Sequence, residues 1–176
     1  MSYPTREQIM AALFAYLQAG CGATFATYSR RFLMWEKVAT ALQQTPPLAM
    51  PALYLYDGMG LGGGLDHFEP RGRASPGVEI MHRTIVIYAT LPNGASPQGQ
   101  DGTTAGGAVF NPLIDSIRDC LAVPDSQSQN ALTLGGLVSH CWLEGDAMMM
   151  TGELDDVRGQ GMLTLPVKIM LYPKSQ

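Results

Sequence analysis

The chain has 176 residues, enough for one domain that buries a core of its own. Hydrophobic residues make up 46% of it and charged residues 15%, which excludes a disordered chain. A net charge of −4 and a pI near 5.2 exclude a general binder of nucleic acid or anionic membrane, because either needs a basic surface.

Three widely spaced cysteines, Cys21, Cys120 and Cys141, are odd in number and argue against a disulfide framework; a reducing cytosolic compartment suits them. The first residues lack the basic-then-apolar order of a signal peptide, and no window approaches the roughly 18 apolar residues of a membrane span. The expectation is a soluble product made inside the cell, with no membrane partner.

Thr5 and Gln8 have capping-box spacing, and Ile9, Leu13, Tyr16 and Leu17 follow as the stripe of an amphipathic helix that Gly20 and Gly22 end. Thr24 to Leu33 alternates like a strand, with Arg30 and Arg31 on opposite faces. Trp35 to Leu42 is ambiguous in pattern, with one short helical turn as its reading. After Thr45-Pro46-Pro47, Ala52 to Tyr56 reads as a second strand, started by Pro51. Asp57 to Gly77 is a long loop rich in Gly and Pro.

Val78 to Leu91 is a long strand. Met81, Arg83, Ile85, Ile87 and Ala89 lie on one face, and Ile80, His82, Thr84, Val86 and Tyr88 on the other. Its second half is apolar on both faces and calls for cover on both sides, one from a helix of this chain and the other from a neighbouring subunit. Pro92 to Gly107 is a second loop. Asn111-Pro112 has the form of a helix start, N-cap then proline, and Leu113, Ile114, Ile117, Cys120 and Leu121 form its apolar stripe.

A polar run, 125–130, leads to three closing strands between Leu134 and Tyr172. Leu163, Leu165, Val167, Ile169 and Leu171 alternate with Thr164, Lys168 and Tyr172, and Pro166 among them points to an edge strand or a bulge. Helix, strands, helix and strands without regular βαβ alternation make an α+β domain spanning 1–176, with two helices on a mostly antiparallel sheet.

Four stretches invite a chemical reading. Gly58-Met59-Gly60-Leu61-Gly62-Gly63 matches a dinucleotide fingerprint but leads into Leu65-Asp66-His67-Phe68-Glu69-Pro70, which cannot open the helix that a pyrophosphate needs. His140-Cys141 pairs a thiol with a base, yet strand neighbours project to opposite faces; Cys141 lines up with Leu137 and Leu143 as core. Glu144, Asp146, Glu153, Asp155 and Asp156 lack calcium-loop spacing, and His67, His82 and His140 lack a zinc motif. No catalytic residue, cofactor or metal is expected. Met148 and Met150 share a face and suit an adaptable contact, and Trp142, on the His140 side of its strand, suits an interface anchor.

In order along the chain stand the N-terminal helix ending near Leu17, then Thr27-Tyr28-Ser29-Arg30-Arg31 with Trp35, and Pro51-Ala52-Leu53-Tyr54-Leu55. Arg83-Thr84-Ile85-Val86-Ile87-Tyr88, Asn111-Pro112-Leu113-Ile114-Asp115, and Thr133-Leu134-Gly135-Gly136-Leu137-Val138 with Trp142-Leu143-Glu144-Gly145 follow. In these the chain resembles the tail terminator (minor tail, or tail completion) proteins of long-tailed phages and prophages, apart from a longer, more glycine-rich segment at 57–77.

The resemblance implies a structural virion protein with no catalytic residues. Such a subunit forms a homo-oligomeric ring, commonly a hexamer, on the last ring of the tail tube. It stops tube polymerisation and offers a joining surface to the head-proximal connector or neck protein. The genome would pass through the pore without specific binding; the net charge of −4 by itself suggests a subunit that repels phosphates and lets DNA slide. Its place would be the tail–neck junction of the virion, and the host cytoplasm during assembly. On this reading the candidate subunit or tube contacts are Arg30, Arg31, His140, Trp142, Met148 and Met150. The alternatives are a head–tail adaptor or head-completion protein of the same machinery, and a cytosolic enzyme using Cys141 or the glycine loop.

Overall fold

The computed structural model describes residues 4–57, 66–71, 75–91, 107–122, 131–154 and 157–171. The glycine motif at 58–63, the loop at 92–106, the polar run at 125–130 and the turn acids Asp155 and Asp156 lie outside the described residues. In chain order the elements are α1 (Arg6–Cys21), a short 3-10 turn (Gly22–Thr24), β1 (Thr27–Ser29), α2 (Trp35–Leu42), β2 (Ala52–Tyr56) and β3 (His67–Arg71). Then come β4 (Ser75–Thr90), α3 (Gly107–Ala122), β5 (His140–Leu143), β6 (Met148–Leu154) and β7 (Val157–Leu171).

All seven strands belong to one sheet, antiparallel except for the β1–β2 pair, so the architecture is α+β. Its centre is the pair β4–β7, in unbroken register from Glu79 opposite Leu171 to Thr90 opposite Gln160. Along the other edge of β4, β2 and β3 lie end to end; along the other edge of β7, β5 and β6 do the same.

One face of this sheet packs on α1 and α3. Leu53, Leu55, Ile85, Ile87, Leu163 and Ile169 meet Ile9, Leu13 and Leu17 of α1 and Phe110 and Ile117 of α3 in one buried cluster. The capping box forms as the sequence suggests. Thr5 Oγ1 accepts from the Gln8 amide at 3.2 Å and Gln8 Oε1 accepts from the Thr5 amide at 2.9 Å, a device that contributes about 1 kcal/mol.

The helix expected to start at Asn111 starts instead at Gly107, which leaves Pro112 inside it. Tertiary packing outweighs the lost helical hydrogen bond: Phe110 is fully buried, and a Cβ on Gly161 of β7 would lie 2.6 Å from its ring. Pro112 itself faces solvent.

The opposite, far face has a smaller second layer. α2 is a full two-turn helix, not a single turn, and it bridges the parallel strands β1 and β2. Val38, Tyr54, Val86, Tyr88 and Met162 form a buried cluster there. Trp35 stacks on Tyr88 at 5.7 Å, and the Tyr88 hydroxyl donates to the Leu33 carbonyl at 2.7 Å. The second cover over Val86 and Tyr88 thus comes from this chain, where a neighbouring subunit was expected.

Four other expectations change. The strand at 24–33 is only Thr27–Ser29, because Ser29 Oγ bonds both the amide (3.0 Å) and the carbonyl (3.3 Å) of Arg31 and turns the chain. The loop at 57–77 contains β3, which has no apolar alternation and forms by pairing with the extension of β4. Pro166 lies in an interior strand without a register break. Its carbonyl accepts from the Glu144 amide at 3.0 Å, so its missing donor points to the opening between β5 and β6. Leu134 to Leu137 is a turn, with Gly135 and Gly136 at φ +70° and +83°, so Leu137 is not in strand register with Cys141. Among the described residues, no helix is long and apolar enough to cross a membrane.

Candidate assembly surface

The six candidate contact residues occupy two separate places. Arg30 and Arg31 follow β1 at one margin of the sheet, whereas His140, Trp142, Met148 and Met150 lie on β5 and β6 at the other.

Arg30 is occupied within the chain. Its guanidinium meets Glu7 through two bonds of 2.6 and 2.9 Å and Asp57 at 3.2 Å. From there charges continue: Arg83 lies 3.5 Å from Asp57 and 2.7 Å from Asp66, and Arg6 lies 3.4 Å from Asp66 and 2.9 Å from Glu79. This network fills the gap where β2 ends and β3 has yet to begin. On that side of β4 neither β2 nor β3 pairs with His82, and its amide donates to Asp66 Oδ1 at 2.9 Å.

Burial raises the Asp66 carboxyl, but the Arg83 hydrogen bond, the His82 amide and the charges of Arg83 and Arg6 outweigh it. Its pKa therefore lies below the ordinary value. Arg30 pulls Glu7 down in the same way, chiefly by its hydrogen bond. Arg30 thus serves the fold, and Arg31 alone of the pair is exposed.

The other margin has the form of a contact surface. Every second residue of β4, β7 and β5 points to the far face, which brings His82, Lys168 and Trp142 into one row across three strands. Trp142 is held between two neighbours: His140 stacks on it at 4.6 Å with 20° between the rings, and Lys168 Nζ sits 5.6 Å from its ring centroid. Glu144 fixes Lys168 at 3.0 Å. The indole also lines a small cleft of about 200 Å³ with Arg118, Leu121, Ala122 and Leu143.

Farther along the same edge, Met148 and Met150 project beside Thr164 and Met162 on the far face, at 49% and 43% exposure. Met149, on the other face, is 36% exposed. α2 covers the Tyr88 half of this face. Over the His82–Lys168–Trp142 half, no helix among the described residues lies.

No family model matches this chain, and no curated protein is recognisably similar to it.

Strand alternation separates His140 from Cys141 as the sequence requires. Cys141 is fully buried on the helix side, and burial pushes its thiol up to about 12. His82 and His140 lie on the opposite face, so neither can serve it as a base. His82 stacks on His67 at 5.6 Å, and its pKa is lowered by burial, then by His67 and Lys168. No group of three or more metal-ligating side chains occurs among the described residues. The sequence reading missed Lys168, Glu144 and His82 as parts of the surface. The period-2 pattern that places Trp142 also places them, once the register of β4, β5 and β7 is known.

Proposed function

We propose that this chain is a structural subunit of a phage tail terminator. It assembles into a ring on the last ring of the tail tube, ends polymerisation there, and presents a joining surface to the head-proximal connector. The α+β fold agrees with what the resemblance implies. The observation that carries the reading is the half-covered far face: Trp142, held by His140 and Lys168, continues into an edge of exposed methionines. Aromatic anchors prearranged in this way, with adaptable methionines beside them, are the composition of an interface. A head-to-tail contact between copies would close a ring through such a surface.

The acidic character of the chain suits a pore through which DNA slides, since a basic lining would retain phosphates. The test is to add the purified chain to growing tail tubes and measure their lengths by electron microscopy. A terminator halts growth and caps one end. Tubes that lengthen equally with and without the chain would reject it. Binding to the connector without any effect on tube length would assign the chain to the neck as an adaptor.

A further inference from the structure

All three histidines of the chain, His67, His82 and His140, reach the same uncovered half of the far face, each from a different strand. The register sets them in two adjacent rows. His67 of β3, Ile80 of β4, Met170 of β7 and His140 of β5 form one row; His82, Lys168 and Trp142 form the next. Rings lie against their neighbours in both: His67 and His82 at 5.6 Å with 21° between them, and His140 and Trp142 at 4.6 Å. His82 stands directly opposite Lys168, within the reach of side chains in an antiparallel pair.

Each acid around His82 is already engaged. Asp66 is held by Arg83 at 2.7 Å and Arg6 at 3.4 Å, Glu144 by Lys168 at 3.0 Å, and Glu69 lies 3.3 Å from His67. Arg83, next to His82 in β4, turns to the other face. A proton on His82 therefore adds a cation beside Lys168 and an imidazole that can itself become one. Burial, then His67 and Lys168, accordingly lower the His82 pKa, against the smaller opposing effects of Glu144 and Asp66.

We propose that this half-face is a pH-gated contact between copies of the chain, closed while His82 is neutral and opened when His82 takes up a proton. The proposal rests on the reading of the Trp142 face as the place where copies meet. A second copy laid over the rows removes water from His82 and leaves Lys168 opposite it. The imidazolium is then costlier in the joined state than in the dispersed one, so the His82 pKa falls further on joining and proton uptake belongs to the dispersed subunit. Association is at full strength above about pH 6.5, the ordinary histidine value, and weakens as pH falls through the value in the dispersed subunit.

The full chain is sedimented at pH 7.5 and at pH 5.5 in the same salt, and the dissociation constants of its self-association are compared. The expected result is a weakening of about three- to tenfold at pH 5.5, within the range of one linked proton. His82→Gln, neutral at both values, should associate with one constant throughout. Calorimetry of the unaltered chain at pH 6, in two buffers of different ionisation enthalpy, should show protons released on association; it needs no variant and decides the matter if His82→Gln fails to fold. Association without proton release, or a pH dependence that His82→Gln retains, would overturn the proposal. Equal constants at the two pH values would remove the gate and leave the contact standing. A chain dispersed at both values would remove the gate together with the contact between free subunits on which it rests.

Discussion

Asp66→Ala tests the charge network that joins β2 to β3. The Arg83 side chain is 7% exposed and Asp66 19%, and their guanidinium–carboxylate bonds measure 2.7 and 3.1 Å. Removing the carboxylate leaves Arg83 with Asp57 at 3.5 Å and takes away the Asp66 acceptor of the His82 amide. Breaking a buried pair from one side costs about 3–5 kcal/mol, and the remaining Asp57 places this case near about 3 kcal/mol. In thermal unfolding that is a fall of roughly 6–12 °C for a chain of this size. Urea denaturation supplies the free energy directly.

Asp66→Asn keeps an acceptor for His82 and should cost less than Asp66→Ala. The double variant Asp66→Ala, Arg83→Met removes the stranded cation and should recover at least about half of the loss, in a double-mutant cycle. A cost under about 1 kcal/mol for Asp66→Ala, or strictly additive behaviour with Arg83→Met, would refute the network as described.

Trp142→Ala, made on a half-buried edge residue, should leave the fold intact by circular dichroism while weakening self-association by about 2 kcal/mol, roughly 30-fold in sedimentation. Gly161→Ala should destabilise by about 1–3 kcal/mol in urea titration, because the new methyl meets the Phe110 ring at 2.6 Å. The depressed pKa values of Asp66 and Glu7 contribute stability that is complete above a pH of about 4 and is lost as pH falls through the folded values. Acid unfolding should therefore shift to higher pH in Asp66→Asn. The folded pKa of His82 is also depressed, with His67, Lys168, Glu144 and Asp66 around it. Its contribution is present above about 6.5 and lost as pH drops through the folded value, a slope that His82→Gln should remove from urea titrations.

What the sequence makes legible is what local periodicity encodes. β7 and the stripe of α1 show their faces directly, because alternation or a 3.6-residue repeat is the burial pattern itself. The split of His140 from Cys141 follows from the same rule. β3 escapes it: His67-Phe68-Glu69-Pro70-Arg71 has no apolar alternation, and it is a strand only through its pairing with the first residues of β4, Ser75 to Ile80. The start of α3 is hidden for a related reason. Asn111-Pro112 carries a strong local signal, and the contact that overrides it, Phe110 on Gly161, spans about fifty residues. The role of Arg30 could not be read either, since Glu7 and Asp57 come together with it only when α1 and β2 dock beside β1. Pro166 is compatible with an interior strand only because β5 and β6 leave an opening beside it.

The account rests on Trp142 and the neighbouring methionines packing against another copy of the chain. Hydroxyl-radical footprinting measures this at the residues concerned, by comparing side-chain oxidation in dispersed protein with that in protein assembled on tail-tube ends. The account predicts strong protection of Trp142, Met148 and Met150 on assembly, with Met34, exposed beside α2, as the reference. Equal oxidation of Trp142, Met148 and Met150 in the two states, or a chain that remains dispersed when tubes are present, would contradict it.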